Sequence, residues 1–297
     1  MYRKFYNLSS KPFRLNPDPR FFYSSKTHKR ALAYLRYGIE QGEGFIIITG
    51  DVGTGKTTLV SRLLRSLKSQ NIISAHIVNS QLQPSDLLRM ASAEFELSYS
   101  NANKATLLKN LKSFFLSCME QNKRVLLIVD EAQNLTSKSL EELRMLSNMQ
   151  QNGRQLLQSF LLGQKEFRNM IRSSGYEQLR QRVIATYHLR PLDKEETREY
   201  IIYRLNVAGW KNDPEVDNDV FDNIFHYTKG LPRKINLLCD RILLYGCLEE
   251  LHHICYQDYQ SVLIDIEDEF WCEEIVNDEL IDNDSNIRLT GNNTSAD

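Results

Sequence analysis

Hydrophobic and polar positions along this 297-residue chain follow two regimes. Between residues 45 and 189, five short runs are almost continuously apolar and rich in β-branched residues: FIIIT (45–49), ISAHIV (73–78), VLLIVD (125–130), LLQSFLL (156–162) and VIATYHL (183–189). A strand with one wetted face alternates apolar and polar residues, whereas a run apolar on both faces belongs in a sheet covered on both sides. Most of the intervening stretches, such as TLLKNLKSFFLSCMEQ and SLEELRMLSNMQ, have helical spacing, so the pattern predicts a parallel sheet between helical layers. Ahead of the sheet, residues 27–41 predict a helix that ends near Gly42 and Gly44. After Arg190-Pro191-Leu192 only helices are predicted. The first runs to Gly209, with Asp193 and Glu196 spaced as a capping box and Leu192 as its staple; others fall near 217–228 and 232–249. The opening stretch, rich in aromatics and holding Pro12, Pro17 and Pro19, predicts irregular structure.

The loop after the first run carries candidate chemistry. Gly50-Asp51-Val52-Gly53-Thr54-Gly55-Lys56-Thr57 fits G-x-x-x-x-G-K-[ST], followed by Thr58 and an amphipathic segment. Bare backbone at the glycines lets successive N–H groups curl around a phosphate, and the following helix turns its positive end to the same anion. Lys56 would reach the β- and γ-phosphates of a nucleotide, and the Thr57 hydroxyl would sit on Mg²⁺. VLLIVDEAQ supplies the complementary acids: Asp130 at the end of an apolar strand to anchor Mg²⁺, and Glu131 to orient and polarise an attacking water. ISAHIV lies between the two motifs, so the phosphate-binding strand and the acidic strand are not consecutive in sequence.

Composition adds an asymmetry. Residues 265–297 carry eleven acidic residues and one basic, leaving residues 1–264 with 36 basic against 27 acidic. The body is mildly basic and the tail strongly acidic, and at least the last dozen residues are expected to be disordered. Five cysteines without a CxxC pair read as reduced thiols in a cytoplasmic protein. His252 and His253, adjacent and about 100° apart if helical, fit a solvated surface rather than a metal. MYRKFYNLSSKPF has no apolar core of a signal peptide, and no run reaches the roughly 20 residues of a membrane span, so any membrane contact is expected through a partner.

Over roughly residues 2–264 the chain resembles AAA+ ATPases of the general secretion pathway A (ExeA-like) type, and among these the secretion ATPases of exosortase/PEP-CTERM exopolysaccharide loci. The strings that carry the resemblance, in order, are FYNLSSKPFRLNPDPRFFY, GEGFIIITGDVGTGKTT, LLIVDEAQNL with LEELRMLSN, LLQSFLLGQKEF, LRQRVIATYHLRPL and GLPRKINLLCDRILL. It implies an α/β P-loop NTPase domain of three layers with a five-stranded parallel sheet, then a small all-α lid. The boundaries expected are 1–44 for an aromatic, Pro-rich segment and helix on the nucleotide site, 45–190 for the α/β domain, 191–264 for the lid and 265–297 for the acidic tail.

The resemblance further implies roles for single residues. Gln164 becomes the candidate sensor of the γ-phosphate, where Asn, Ser or Thr is more usual; a helix-start role is the alternative. Arg182 is the candidate arginine finger acting on a neighbouring subunit, with Arg180 as its rival. Arg233 in Gly230-Leu231-Pro232-Arg233 is the candidate second sensor on the lid, and the N-terminal aromatics are expected to fold over adenine. The implied protein is an ATP-dependent homo-oligomeric motor or switch working with membrane-associated export proteins. A DNA-acting ATPase and a scaffold without turnover are the alternatives. Initiators of the first kind usually append a DNA-reading domain after the lid, for which the acidic and polar tail is too short; the intact Lys56, Thr57, Asp130 and Glu131 argue against the second.

Overall fold

The computed structural model describes residues 1–16, 18–67, 71–78 and 82–269. Five parallel strands form the central sheet: β1 (Phe45–Gly50), β2 (Ile72–Ile77), β3 (Arg124–Val129), β4 (Gln158–Gly163) and β5 (Val183–Leu189). Their spatial order is β2-β3-β4-β1-β5. The strand feeding the phosphate loop therefore sits between β4 and β5, with the acidic strand β3 on the far side of β4.

β1 and β4 are buried at every position, and the two faces of β1 separate by the period of two that a strand imposes. Phe45 and Ile47 pack with Leu87, Leu111, Phe115, Leu143 and Phe167 of helices Pro84–Glu94, Lys104–Glu120, Ser137–Ser147 and Lys165–Arg172. Ile46 and Ile48 pack with Leu35, Leu59 and Leu63 of helices Lys26–Gln41 and Lys56–Leu67 on the opposite face. Each such side chain contributes roughly 1.5–3 kcal/mol by leaving water, so the strand feeding the phosphate loop is a rigid floor. The architecture is the parallel sheet between helical layers that the apolar runs predict, and the three-layer α/β P-loop NTPase fold that the resemblance implies.

A separate core holds the helical end of the chain: helices Lys194–Val207, Asn218–Thr228 and Pro232–Leu248, and a helix over 256–269. Asp193 and Glu196 form the capping box, and Leu192 is buried in this core. Three expectations need correction. The N-terminal stretch is not wholly irregular: Tyr2–Phe5 forms a helical turn ahead of the prolines, and Pro19–Phe21 a 3₁₀ turn that Pro19 can open because its missing N–H is not needed there. Its aromatics Tyr2, Tyr6, Phe13 and Phe21 pack into the lid core beside Tyr200, Leu205 and Ile235. The boundary at 264 falls inside a helix, because Val262 and Ile266 are both buried against the lid. His252 and His253 lie not on a helix but in extended chain, His253 opening a two-residue strand, paired with Asp213 and Asp217 at 2.7 and 2.9 Å.

Cys118, Cys239 and Cys247 are buried free thiols and Cys255 is half-buried; Cys272 lies outside the described residues. So does the disorder expected for the last dozen positions. Among the described residues no helix is long and apolar enough to cross a membrane.

Candidate nucleotide site

At the C-terminal end of β1 the chain turns at Gly50, loops through Asp51, Val52, Gly53, Thr54 and Gly55, and enters the helix at Lys56. Gly53 is at φ 83°, and a β-carbon there would lie 2.6 Å from the Cβ of Arg233, so the loop needs glycine both for its turn and for the lid's approach. Within the loop the Thr54 hydroxyl donates to the Asp51 carbonyl at 2.8 Å. Buried Lys56 donates from Nζ to the carbonyls of Gly50 and Asp51 at 2.9 and 3.1 Å. Burial lowers its pKa, and the carboxylates of Glu131, Asp130 and Asp51 pull the other way. From the Lys26–Gln41 helix, buried His28 reaches the loop beside Gly55, with Nδ1 2.7 Å from Ser25 Oγ. Burial drops its pKa to about 4, against the weaker opposing effect of a hydrogen bond to the Thr54 main chain.

The end of β3 meets this loop across the sheet. Thr57 Oγ1 donates to Asp130 Oδ2 at 2.7 Å, and the Glu131 N–H donates to Asp130 Oδ1 at 2.9 Å. Asp130 is buried, and the His76 Nε2 of β2, itself buried without a hydrogen-bond partner, lies 3.9 Å from Oδ2. A hydroxyl and a carboxylate already side by side, with an unsatisfied ring nitrogen behind them, fit a hydrated Mg²⁺, a cation that prefers oxygen donors and retains water. Thr57 and Asp130 would hold it.

Glu131 takes a left-handed backbone (φ 51°), unusual outside glycine. Its Oε2 accepts from Gln133 Nε2 at 2.5 Å and from Gln164 Nε2 at 3.1 Å. Burial pushes its pKa up, but these two amides and the charge of Lys56 outweigh it and leave the carboxyl below its usual range.

A cavity of about 470 Å³ opens between the loop and the lid, lined by residues 52–58, Glu131 and Arg233, by Phe22 and Tyr23 of the N-terminal stretch, and by Tyr200, Arg204 and Asn236 of the lid. The Arg233 N–H donates to the Gly53 carbonyl at 3.2 Å, which fixes the start of the lid helix over the loop. Arg204 donates to the Pro12 carbonyl at 2.6 Å and stacks near Phe21, tying the N-terminal stretch to the lid. Gln164 reaches Glu131 but is not part of the cavity wall.

The two arginine candidates separate. Arg180 is tied within the chain, donating to the carbonyls of Ile171 and Ser173 at 2.6 and 2.8 Å and to Glu177 at 2.9 Å. Half-buried Arg182 has no hydrogen-bond or carboxylate partner for its guanidinium among the described residues. Its carbonyl accepts from Phe45, the first residue of β1, so it stands a whole strand, about 17 Å, from the phosphate loop of its own chain.

Residues 39–171 match the family described as "AAA domain". The matched residues span the phosphate loop after β1 and the acidic end of β3. The chain is 39% identical over 259 residues to General secretion pathway protein A of Aeromonas hydrophila, a match covering 87% of this chain and 47% of that protein. The chain thus spans about half the length of this curated relative. Its fold is similar to the ORC2 protein of Aeropyrum pernix (TM-score 0.64, 14% identity, 86% of this chain and 71% of that one). It is also similar to the RuvB Holliday junction branch migration motor of Thermotoga maritima (TM-score 0.53, 17% identity, 82% and 69%). At such identities these two likenesses bear on the fold alone.

Sequence reasoning missed Gln133, His28 and His76, and the lid residues Tyr200, Arg204 and Asn236. Gln133 had a signal, two positions after Glu131; the others come from distant elements and had none.

Proposed function

We propose that this protein binds and hydrolyses ATP and, as a homo-oligomer, couples that cycle to an export or assembly system at the bacterial inner membrane, reached through a partner. The observation that carries the chemistry is the convergence of Lys56, Thr57, Asp130, Glu131 and Arg233 at one end of the sheet, beside a cavity of nucleotide size.

The loop amides and Lys56 bind the phosphates. Mg²⁺, when bound by Thr57 and Asp130, neutralises charge on the phosphate oxygens. Glu131 orients a water and takes its proton as the oxygen attacks the γ-phosphorus. The bond from that phosphorus to the β–γ bridging oxygen breaks, giving ADP and phosphate. Arg233 senses the γ-phosphate from the lid, Gln164 acts on it through Glu131, and the lid with its N-terminal aromatics closes on the base. Arg182, too far from its own loop, serves a neighbouring subunit's site, where such a finger is worth about 10³ to 10⁵ in rate. Replacing Glu131 by Gln should leave ATP binding intact and stop phosphate release; unchanged turnover would remove Glu131 from this role.

The 39% identity to a general secretion pathway protein supports the export context. Within it we favour the exosortase-associated polysaccharide systems, on the strings from FYNLSSKPF to GLPRKINLL. A DNA-acting role is the second reading, favoured by the excess of basic residues over 1–264. A salt-dependent gel shift of duplex DNA at sub-micromolar protein would support it; absence of one at low salt favours export.

A further inference from the structure

Gln133, the last residue of VLLIVDEAQ, is given no role by the sequence motifs and lies outside the cavity wall, yet its side chain contacts Glu131 directly. It sits in the 3₁₀ turn Ala132–Asn134 that follows β3, held by the buried side chain of Ala132 and by the Asn134 N–H donating to the Glu131 carbonyl at 2.9 Å. Its side chain closes a ring. Nε2 donates to Glu131 Oε2 at 2.5 Å, Oε1 accepts from the Gln164 N–H at 3.0 Å, and Gln164 Nε2 donates to the same Glu131 oxygen at 3.1 Å.

The orientation of this amide follows from chemistry. A main-chain N–H can only donate, so the atom facing Gln164 must be the oxygen, and the nitrogen is left to face the carboxylate. No flip satisfies both neighbours. One donor constrains a carboxylate to an arc, whereas two donors from different elements, the turn after β3 and the end of β4, constrain it to a position. A water-orienting group must be held to within about 0.5 Å, and a glutamate has several rotamers through which to lose that position.

We propose that Gln133 is a positioning residue for ATP hydrolysis: it holds Glu131 at the water-facing end of β3 and locks it to β4 through the Gln164 N–H. The inference rests on the reading of Glu131 as the group that prepares the water. Gln133 touches neither substrate nor cavity and acts only through that carboxylate.

The test is steady-state ATP hydrolysis by the full chain, with kcat and KM separated. Gln133→Met keeps length and volume but removes both polar contacts. Gln133→Glu keeps an oxygen for the Gln164 N–H and turns a second carboxylate toward Glu131. Gln133→Met is expected to lower kcat about tenfold to a hundredfold with KM within twofold, and Gln133→Glu to lower it at least as far. In a Glu131→Asp background, whose carboxylate is one methylene shorter, Gln133→Met should cost less than twofold more. The assignment is overturned by any of three results: Gln133→Met within twofold of the parent; Gln133→Glu near the parent while Gln133→Met is not, the mark of a residue that only caps Gln164; or a full loss repeated in the Glu131→Asp background. A parent with no turnover overturns the reading of the site itself, whereas a parent that turns over and ignores Gln133→Met overturns only this inference.

Discussion

Burial sets the protonation of the side chain that props the phosphate loop. His28 is neutral in the fold down to about pH 4, whereas in the unfolded chain it takes up a proton near its ordinary 6.5. Between those values the unfolded state binds more protons, so His28 contributes stability above pH 6.5 that is lost as pH falls toward 4, by up to about 1.4 kcal/mol per pH unit. Urea unfolding at pH 7.5 and pH 5 should therefore show a larger loss for the parent than for His28→Gln. His76 and His188, whose pKa values burial also lowers, leave the variant a residual slope of the same sign, which His253, raised by Asp217, opposes. Equal losses would mean that His28 is protonated in the fold. The same residue shows where sequence stops being informative. Lys56 and Asp130 are legible because the chemistry of phosphate and cation fixes their types and spacing. His28 is legible only once a helix from outside the motif is laid against the loop.

Secondary-structure elements divide along the same line. The five strands could be read because each is buried on both faces and so continuously apolar, a signal that needs no knowledge of its neighbours. The N-terminal turn Tyr2–Phe5 and the helix over 256–269 could not, since their order comes from one shared core with the lid. The short antiparallel pair Gln150–Gln151 and Arg154–Gln155 is polar at every position and leaves no apolar trace. At the entry to the lid, a glycine allows two stretches of backbone to meet. Gly230 has φ 69°, its carbonyl accepts from the Leu192 N–H at 2.9 Å, and a β-carbon there would lie 1.9 Å from the Leu192 carbonyl oxygen. Gly230→Ala adds left-handed strain of about 1–2 kcal/mol to that backbone clash. A melting temperature lower by several degrees is expected, and an unchanged one would show that the junction can move aside.

For the whole molecule, the nucleotide cavity lies at one end of β1 and the Arg182 backbone at the other, so on the proposed reading of Arg182 one chain holds two half-sites. If Arg182 acts on a neighbour, Arg182→Ala should bind ATP normally, hydrolyse it poorly, and regain activity when mixed with Lys56→Ala protein. Failure of that mixture would place the action of Arg182 within its own chain. All of this presupposes that Mg-ATP occupies the space bounded by the loop, the lid and the N-terminal aromatics. Titration calorimetry of the full chain with Mg-ATP, beside Lys56→Ala, tests that most directly. The account predicts saturable binding by the parent and at least a tenfold weaker affinity in the variant; no binding by folded parent, or equal affinities, would contradict it.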